Sequence, residues 1–511
     1  MAQPSKPVEY DSFWLPLFVI VVGAFAAMLN NSSLNVAIPK FMDIFGVNAS
    51  KIQWVLTAYM LTSGIVIPVT GYLGDRFGIK KIFVISLSVF TLGSILCSLS
   101  WNANSMIFFR IIQGIGGGAI MPTSMAIVYR IVPREKIGTA LGVWGMSAIM
   151  APAIGPTLGG YIIGHFDWRF LFIMNIPISI FGITLSALLL KEGPSQPGLI
   201  LDKWGFITST VGFFTLLLAL SEGPKEGWTS FYVVMLFIIS FYALFLFVLI
   251  ELFNPEPMID LRLLKNITFL MSIIITGLIT IGLFGGIFLI PLFVQNLMGL
   301  TPYQTGLILM PAALATGLMM PISGYLFDRI GAKPLGIAGI TLTAFCTWEL
   351  QHLSAATSKE YIVWLMLIRA IGMGMCMMPI TTAGMNTVSK QLIGRASSLN
   401  NVCRQVFASF GIAILTAILQ NRQIFHYNHL ADSVSVASPS LQVNLNNLTS
   451  PFYGYAGNMA SDGQVLYLLY EAVQKQALVF AMDDTFLVAA VFLFVALPLT
   501  LFLHKPSTNI D

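Results

Sequence analysis

Charge is what this 511-residue chain has least of: Asp, Glu, Lys and Arg make up 9% of it, against 56% hydrophobic residues. A soluble protein carries nearer a quarter charged residues, so a water-soluble enzyme or nucleic-acid-binding protein is excluded. The net charge of +4 is better explained by Lys and Arg gathered in the loops on one side of a membrane than by an anionic partner. Cysteine is also scarce: Cys97, Cys346, Cys376 and Cys403 fall in apolar runs, with no C-x-x-C or metal-type spacing. No histidine falls clearly within an expected helix, and His426 and His429 lack the Cys or acidic neighbours of a metal site. Neither metal nor cofactor is expected. There is no G-x-x-x-x-G-K-S/T loop, which removes an ATP-driven pump, and GIGGGA at Gly114 to Ala119 fits a dinucleotide pattern only inside an apolar helix with no strand before it. The ten-residue alternating segments of a β-barrel are missing too.

Long apolar runs are what remain. They place helices near 14–38, 52–73, 80–100, 104–128, 137–163, 168–190, 204–221, 230–250, 268–294, 303–326, 334–353, 361–387, 396–420 and 483–504. The fold class is an all-α polytopic membrane protein with fourteen transmembrane helices. The polar start through Asp11 leads into an apolar run too long for a signal h-region, so the first helix is expected to be its own signal anchor. Placing both termini in the cytoplasm puts about sixteen loop lysines and arginines on that side against seven on the other, the orientation the positive-inside rule favours.

An internal repeat divides the chain. GYLGDRFGIKK at Gly71 to Lys81 returns as GYLFDRIGAK at Gly324 to Lys333, aligning Asp75 with Asp328, Arg76 with Arg329, Gly78 with Gly331 and Lys80 with Lys333. These types suit a tight charged hinge: glycine for the turn, a carboxylate against a helix N-terminus, cations in the interface. Arg110, Gly114 and Gly116 on the fourth helix are echoed by Arg369, Gly372 and Gly374 on the twelfth. The expected organisation is a six-helix half (1–190), a linker with two inserted helices (191–265) and a second six-helix half (266–511) with a long outer loop at about 421–482. Such pseudo-symmetry belongs to transporters that bind substrate near the midplane.

With these motifs the chain resembles the major facilitator superfamily, and within it the fourteen-helix drug:proton antiporters of the EmrB/QacA type. The resemblance covers nearly the whole chain. It rests on the Gly71 to Lys81 hinge, RIIQGIGGG at Arg110 to Gly118, APAIGPTLGG at Ala151 to Gly160, QWVLTAYML (Gln53 to Leu61), WRFLFIMNIPI (Trp168 to Ile178), PMIDLRLL (Pro257 to Leu264) and SSLNNVCRQ (Ser397 to Gln405). It implies export of amphiphilic compounds by proton antiport, from the inner membrane of a bacterium. It also implies a conformational latch at Gly71, Asp75, Arg76, Gly78, Lys80, Asp328 and Arg329, and a fifth-helix motif (Pro152, Gly155, Pro156, Gly159, Gly160) that seals the cytoplasmic side between the halves. Prolines four apart are expected to bend that helix and the glycines to admit a close neighbour.

Arg110, an arginine inside an apolar helix, is the first functional candidate, and the resemblance links it to proton coupling. The first helix departs from the family. Relatives often carry an acid in an LD-x-T-x-x-NVALP-like stretch, where this chain reads LNNSSLNVAIP with Asn30, which cannot titrate. The remaining proton-coupling candidates are Glu349, inside the eleventh apolar run near its outer end, and Asp483 and Asp484 at the mouth of the fourteenth. Asn30, Asn31, Asn35, Gln113, Arg369 and Arg404 are candidates for the substrate cavity. Met373, Met375, Met377 and Met378, with Phe284, Phe288 and Phe293, either line an adaptable pocket or pack against helices and lipid. The scarcity of buried acids favours neutral or anionic amphiphiles. The outer loop either meets a membrane-fusion adaptor protein, as the resemblance implies, or caps the cavity mouth. A dedicated exporter of a metabolite, lipid or siderophore stays open, as does a non-transporting scaffold.

Overall fold

The structure, a computed structural model, describes residues 12–193, 195–196, 198–199, 202–354, 356–433 and 458–503. Among them, fourteen long helices run back and forth: α1 (Trp14–Leu34), α2 (Ala49–Phe77), α3 (Ile79–Ser98), α4 (Ala103–Ile131), α5 (Ile137–His165), α6 (Asn175–Leu189), α7 (Lys203–Glu226), α8 (Phe231–Phe253), α9 (Ile267–Phe284), α10 (Pro302–Ile330), α11 (Ala332–Glu349), α12 (Lys359–Met385), α13 (Ile393–Ser433) and α14 (Asn458–Leu499). Thirteen spans are long and apolar enough to cross a membrane. The helix missing from that set is α11, with 18 residues, whose small and polar side chains lower its hydropathy. At 1.5 Å per residue it is still about 27 Å long, close to a bilayer core, and it packs between α12 and α14.

Helix starts are written in the sequence. The Asn102 side chain accepts from Ser105 N while Ser105 Oγ returns to Asn102 N, and Thr301 and Gln304 repeat this box at α10. Asn48, Asp202 and Asn266 cap α2, α7 and α9. The repeated hinge is one residue long in each copy. Gly78 alone separates α2 from α3 at φ 95°, and Gly331 alone separates α10 from α11 at φ 83°, where a side chain would be strained.

α1 to α6 pack together, as do α9 to α14, and two symmetry-related seams join the sets: α5 against α10, and α2 against α13. The inserted helices lie beside the second seam. A Cβ on Gly64 of α2 would strike Leu217 of α7, and Leu216 and Leu220 of α7 cluster with Ala413 of α13, so α7 touches both sets. The expected outer loop is shorter than the sequence pattern indicates. α13 continues to Ser433 and α14 begins at Asn458, because polar residues outside a membrane still extend a helix when two such extensions pack together; residues 434–457 lie outside the described residues. His426 and His429 therefore sit on a helix, contrary to the sequence reading.

Candidate functional site

At the end of the bundle carrying the repeated hinge, the two seams are fastened by related carboxylates. Asp328, in the last turn of α10, reaches the first turn of α5: its Oδ1 accepts from Gly138 N at 2.9 Å, and its Oδ2 from Thr139 N at 3.0 Å and Thr139 Oγ1 at 2.8 Å. Asp75, in the last turn of α2, stands at the first turn of α13. A Cβ on Gly394 would lie 3.1 Å from its Oδ1, and its Oδ2 pairs with Arg395 Nε at 3.3 Å. The sequence expectation of a carboxylate against a helix N-terminus thus holds with a correction: the helix served is across the seam, not the next in the chain. Asp328 meets free N–H groups at the positive end of a helix dipole, whereas Asp75 lies at a helix start and is held there by an arginine of that same turn.

Asp75 is 7% exposed and also pairs with Arg130 Nη2 of α4 at 3.4 Å. The linker after α6 returns here, with Gln196 N donating to the Asp75 carbonyl at 2.7 Å and Tyr72 Oη donating to the Leu199 carbonyl at 3.1 Å. Arg76 donates to Tyr72 Oη, Lys80 donates to the Ala187 carbonyl at the end of α6, and Arg329 lies over the Tyr325 ring. None of these three crosses a seam. Gly71 does: its Cβ would lie 2.7 Å from the Gly394 carbonyl oxygen.

The fifth-helix motif has two faces. α5 is an unbroken helix through it; the Pro152 side chain lies outside the described residues, and Pro156 is half-buried. Gly155 and Gly159 face Ser32 and Ser33 of α1, and Gly160 comes near Val36, so the motif's glycines pack α5 within its own half, while Thr157 of the motif lies against Gly306 of α10 across the seam. The closest backbone approach across the seam comes from Gly138 and Gly142, opposite Gly324, Met320 and Pro321 of α10. These glycines, with Thr139, Arg130 and Arg395, are what sequence reasoning missed. Small residues spaced at four along α5 were the available signal.

Three arginines lie inside the bundle. Arg110 is 0% exposed. Its Nε donates to the Val55 carbonyl at 2.9 Å and its Nη1 to Asn30 Oδ1 at 2.9 Å. Nη1 also donates to Gln113 Oε1, and Nη2 to Asn31 Oδ1 at 3.3 Å. The Tyr59 ring stands 4.1 Å from the guanidinium carbon. Gln113 is held in turn by Ser94. Every one of these partners is neutral. Arg369 is treated alike in the other half, donating to Thr347 Oγ1 at 2.9 Å and to the Gly282 carbonyl at 2.6 Å, just ahead of a π-helical turn at Gly285–Leu289. Asn30, Gln113 and Arg369 are therefore structural partners within one half and do not line the space between halves; Asn31 and Asn35 are exposed.

That space is bordered by Met125, Trp144, Met377, Met378, Asn401 and Arg404, drawn from α4, α5, α12 and α13. It is narrow, with room for about one water. Of the expected cavity residues Arg404 borders it, and of the expected methionines Met377 and Met378 do. Phe293 is fully buried in a separate apolar cluster with Phe288 beside it, because the π-helical turn and the short helix after it, Ile290–Asn296, carry these side chains into the second half.

Among acids, Glu349 ends α11, half-buried. Asp484 sits within α14, paired with Arg422 Nε at 2.6 Å and His426 Nε2 at 2.6 Å; Asp483 Oδ1 is buried with no partner. Among the described residues, no group of three His, Cys, Asp or Glu could hold a metal ion.

Two pseudo-symmetric six-helix halves, joined at two seams around a central space, define a polytopic membrane transporter. The family model described as Major Facilitator Superfamily matches residues 20–412, and the chain belongs to that superfamily. It is 37% identical over 491 residues to the uncharacterized MFS-type transporter YhcA of Bacillus subtilis, covering 96% of this chain and 92% of that one. It is 28% identical over 508 residues to the multidrug export protein EmrB of Escherichia coli, covering 99% and 98%. The proton:xylose symporter XylE shares the fold at a TM-score of 0.58 and 13% identity, over 95% of this chain and 96% of that one.

Proposed function

We propose that the protein is a secondary active exporter of amphiphilic compounds, working by alternating access between its halves and driven by proton antiport across a bacterial inner membrane. The observation that carries the reading is the pair of cross-seam carboxylates, Asp75 on the first turn of α13 and Asp328 on the first turn of α5. A permanent scaffold would be expected to weld its halves with apolar contact. A polar cap worth about 1 kcal/mol at Asp328 and an ion pair at Asp75 fasten a surface that must part and close again. With both termini in the cytoplasm this latch is on the cytoplasmic side, and fastening it closes the central space at that end.

The likeness to a multidrug export protein over nearly the whole chain supports a drug-like cargo, and the extended α13 and α14 offer a surface for a membrane-fusion adaptor. Proton coupling has to run without a first-helix acid. Arg110 holds Asn30 there, and Asp483, with its unpartnered buried oxygen, and Glu349 are the carriers we assign. The test is efflux of the fluorescent amphiphile phenylnaphthylamine from proteoliposomes. Efflux several-fold faster than from protein-free liposomes, and slowed by Asp328→Ala, supports the reading; efflux equal to the protein-free rate contradicts it.

A further inference from the structure

The three intramembrane arginines differ in how their donors are used. A guanidinium has five N–H groups. Arg110 and Arg369 spend theirs on neutral acceptors inside one half. Among the described residues Arg404 makes a single hydrogen bond, from Nη2 to Asn401 Oδ1 at 2.9 Å, and it borders the space between halves. Asn401 is itself anchored, its Nδ2 donating to the Ser397 carbonyl at 2.8 Å, so it fixes one edge of the guanidinium and leaves the others toward the cavity. No carboxylate among the described residues pairs with Arg404.

The rest of the cavity fits the same kind of ligand. Met125 and Trp144 come from the first half and Met377 and Met378 from the second, giving soft apolar walls that adapt to shape. The polar groups beside them are uncharged: Asn401, and Thr276 with Thr381, whose hydroxyls are 3.5 Å apart. A cationic ligand here would face an unscreened like charge away from water. An anionic head would meet free donors in fork geometry, while its body lay on methionine and indole.

We infer that the cargo is an amphiphile with an anionic head, a carboxylate or sulfonate, on an aromatic or alkyl body, and that Arg404 holds the head. This rests on the export reading above. Arg404 belongs to α13 of the second half, whereas Trp144 and Met125 belong to the first, so a ligand bound between them feels every separation of the halves. The contracted space seen here admits the ligand once the halves part on one side.

The test uses the full-length protein in nanodiscs, with two probes that share one aromatic body: anilinonaphthalene sulfonate, which carries the anion, and uncharged phenylnaphthylamine. Tetraphenylphosphonium serves as the cation. The wild-type protein binds the sulfonate about tenfold or more tightly than the neutral probe, the scale of one charge-assisted hydrogen bond. Arg404→Gln loses that preference while keeping its affinity for the neutral probe and its melting temperature, and Arg404→Lys keeps part of it. Equal binding of all three probes, or a preference unchanged in both variants, overturns the inference. If Arg404→Gln does not fold, the Arg404→Lys variant and the order of the three probes on the wild-type protein decide. Binding is read separately from efflux: sulfonate bound through Arg404 but not exported defeats the export reading alone, and neutral amphiphile exported with no preference for the anion defeats this inference alone.

Discussion

Arg110 Nη1 donates to Asn30 Oδ1 at 2.9 Å, joining α4 to α1. The residue that stands where relatives often carry an acid is thereby used as a neutral acceptor for a buried cation. Asn30→Ala removes that acceptor and leaves part of a buried guanidinium without a partner, a loss of about 1–3 kcal/mol. A lower melting temperature of the purified protein is expected. Asn30→Asp places a carboxylate against the cation, keeps the fold and adds a titratable group to the site. Its efflux should depend more steeply on pH than that of the wild type, as read from initial rates across a pH series.

Asp328 is a cap supplied by one half to a helix of the other. Asp328→Ala removes three hydrogen bonds from the first turn of α5 and costs the closed seam about 1 kcal/mol, which moves an open–closed equilibrium roughly fivefold. Ser398, fully buried beside Gly71, is a reporter. In a background free of other cysteines, Ser398→Cys should react with a soluble maleimide several-fold faster when Asp328→Ala is added. Ser398 lies on the other seam, so an unchanged rate means that the cap does not hold the two halves together at this end.

Glycines divide by what lies opposite them. A Cβ at Gly71 would come 2.7 Å from the Gly394 carbonyl oxygen, and at Gly142 2.8 Å from Pro321 Cα, whereas nothing lies within 4 Å at Gly164. Gly71→Val and Gly142→Val should lower turnover at least about tenfold by holding the seams apart, since packed backbone cannot give way. Gly164→Ala should turn over like the wild type. Efflux normalised to the amount of reconstituted protein distinguishes them.

Asp483 has a buried oxygen without a partner, and its neighbour Asp484 is taken up by Arg422 and His426. Asp483→Asn should reduce gradient-driven efflux while sparing exchange down the substrate's own gradient, the split expected of a proton carrier. Asp484→Asn should instead lower the melting temperature by loosening α13 from α14. Glu349→Gln, tested alongside, assigns the proton to α11 if it alone reproduces the coupling defect.

Local features were legible in the sequence. The repeated hinge marked the one-residue turns at Gly78 and Gly331, because a glycine between two apolar runs has a local cause. Arg110 was visible as an arginine inside an apolar helix. What Asp75 meets was not visible: Arg395 lies 320 positions away, and the pairing depends on how two halves dock, which leaves no periodic trace. Gly138 and Gly142 left a spacing of four along α5, but which helix lies against them is set by the same docking. Gln113 and Arg369 were placed in a cavity because polarity inside a membrane signals function; both are absorbed by internal hydrogen bonds, which sequence polarity cannot distinguish.

Proton antiport is tested most directly by recording the pH inside proteoliposomes while an amphiphile is added under an imposed proton gradient. The account predicts that anilinonaphthalene sulfonate dissipates the gradient faster in proteoliposomes than in protein-free liposomes, and that Asp483→Asn or Glu349→Gln removes the difference. Transport of the amphiphile with no change in the decay of the gradient would contradict it.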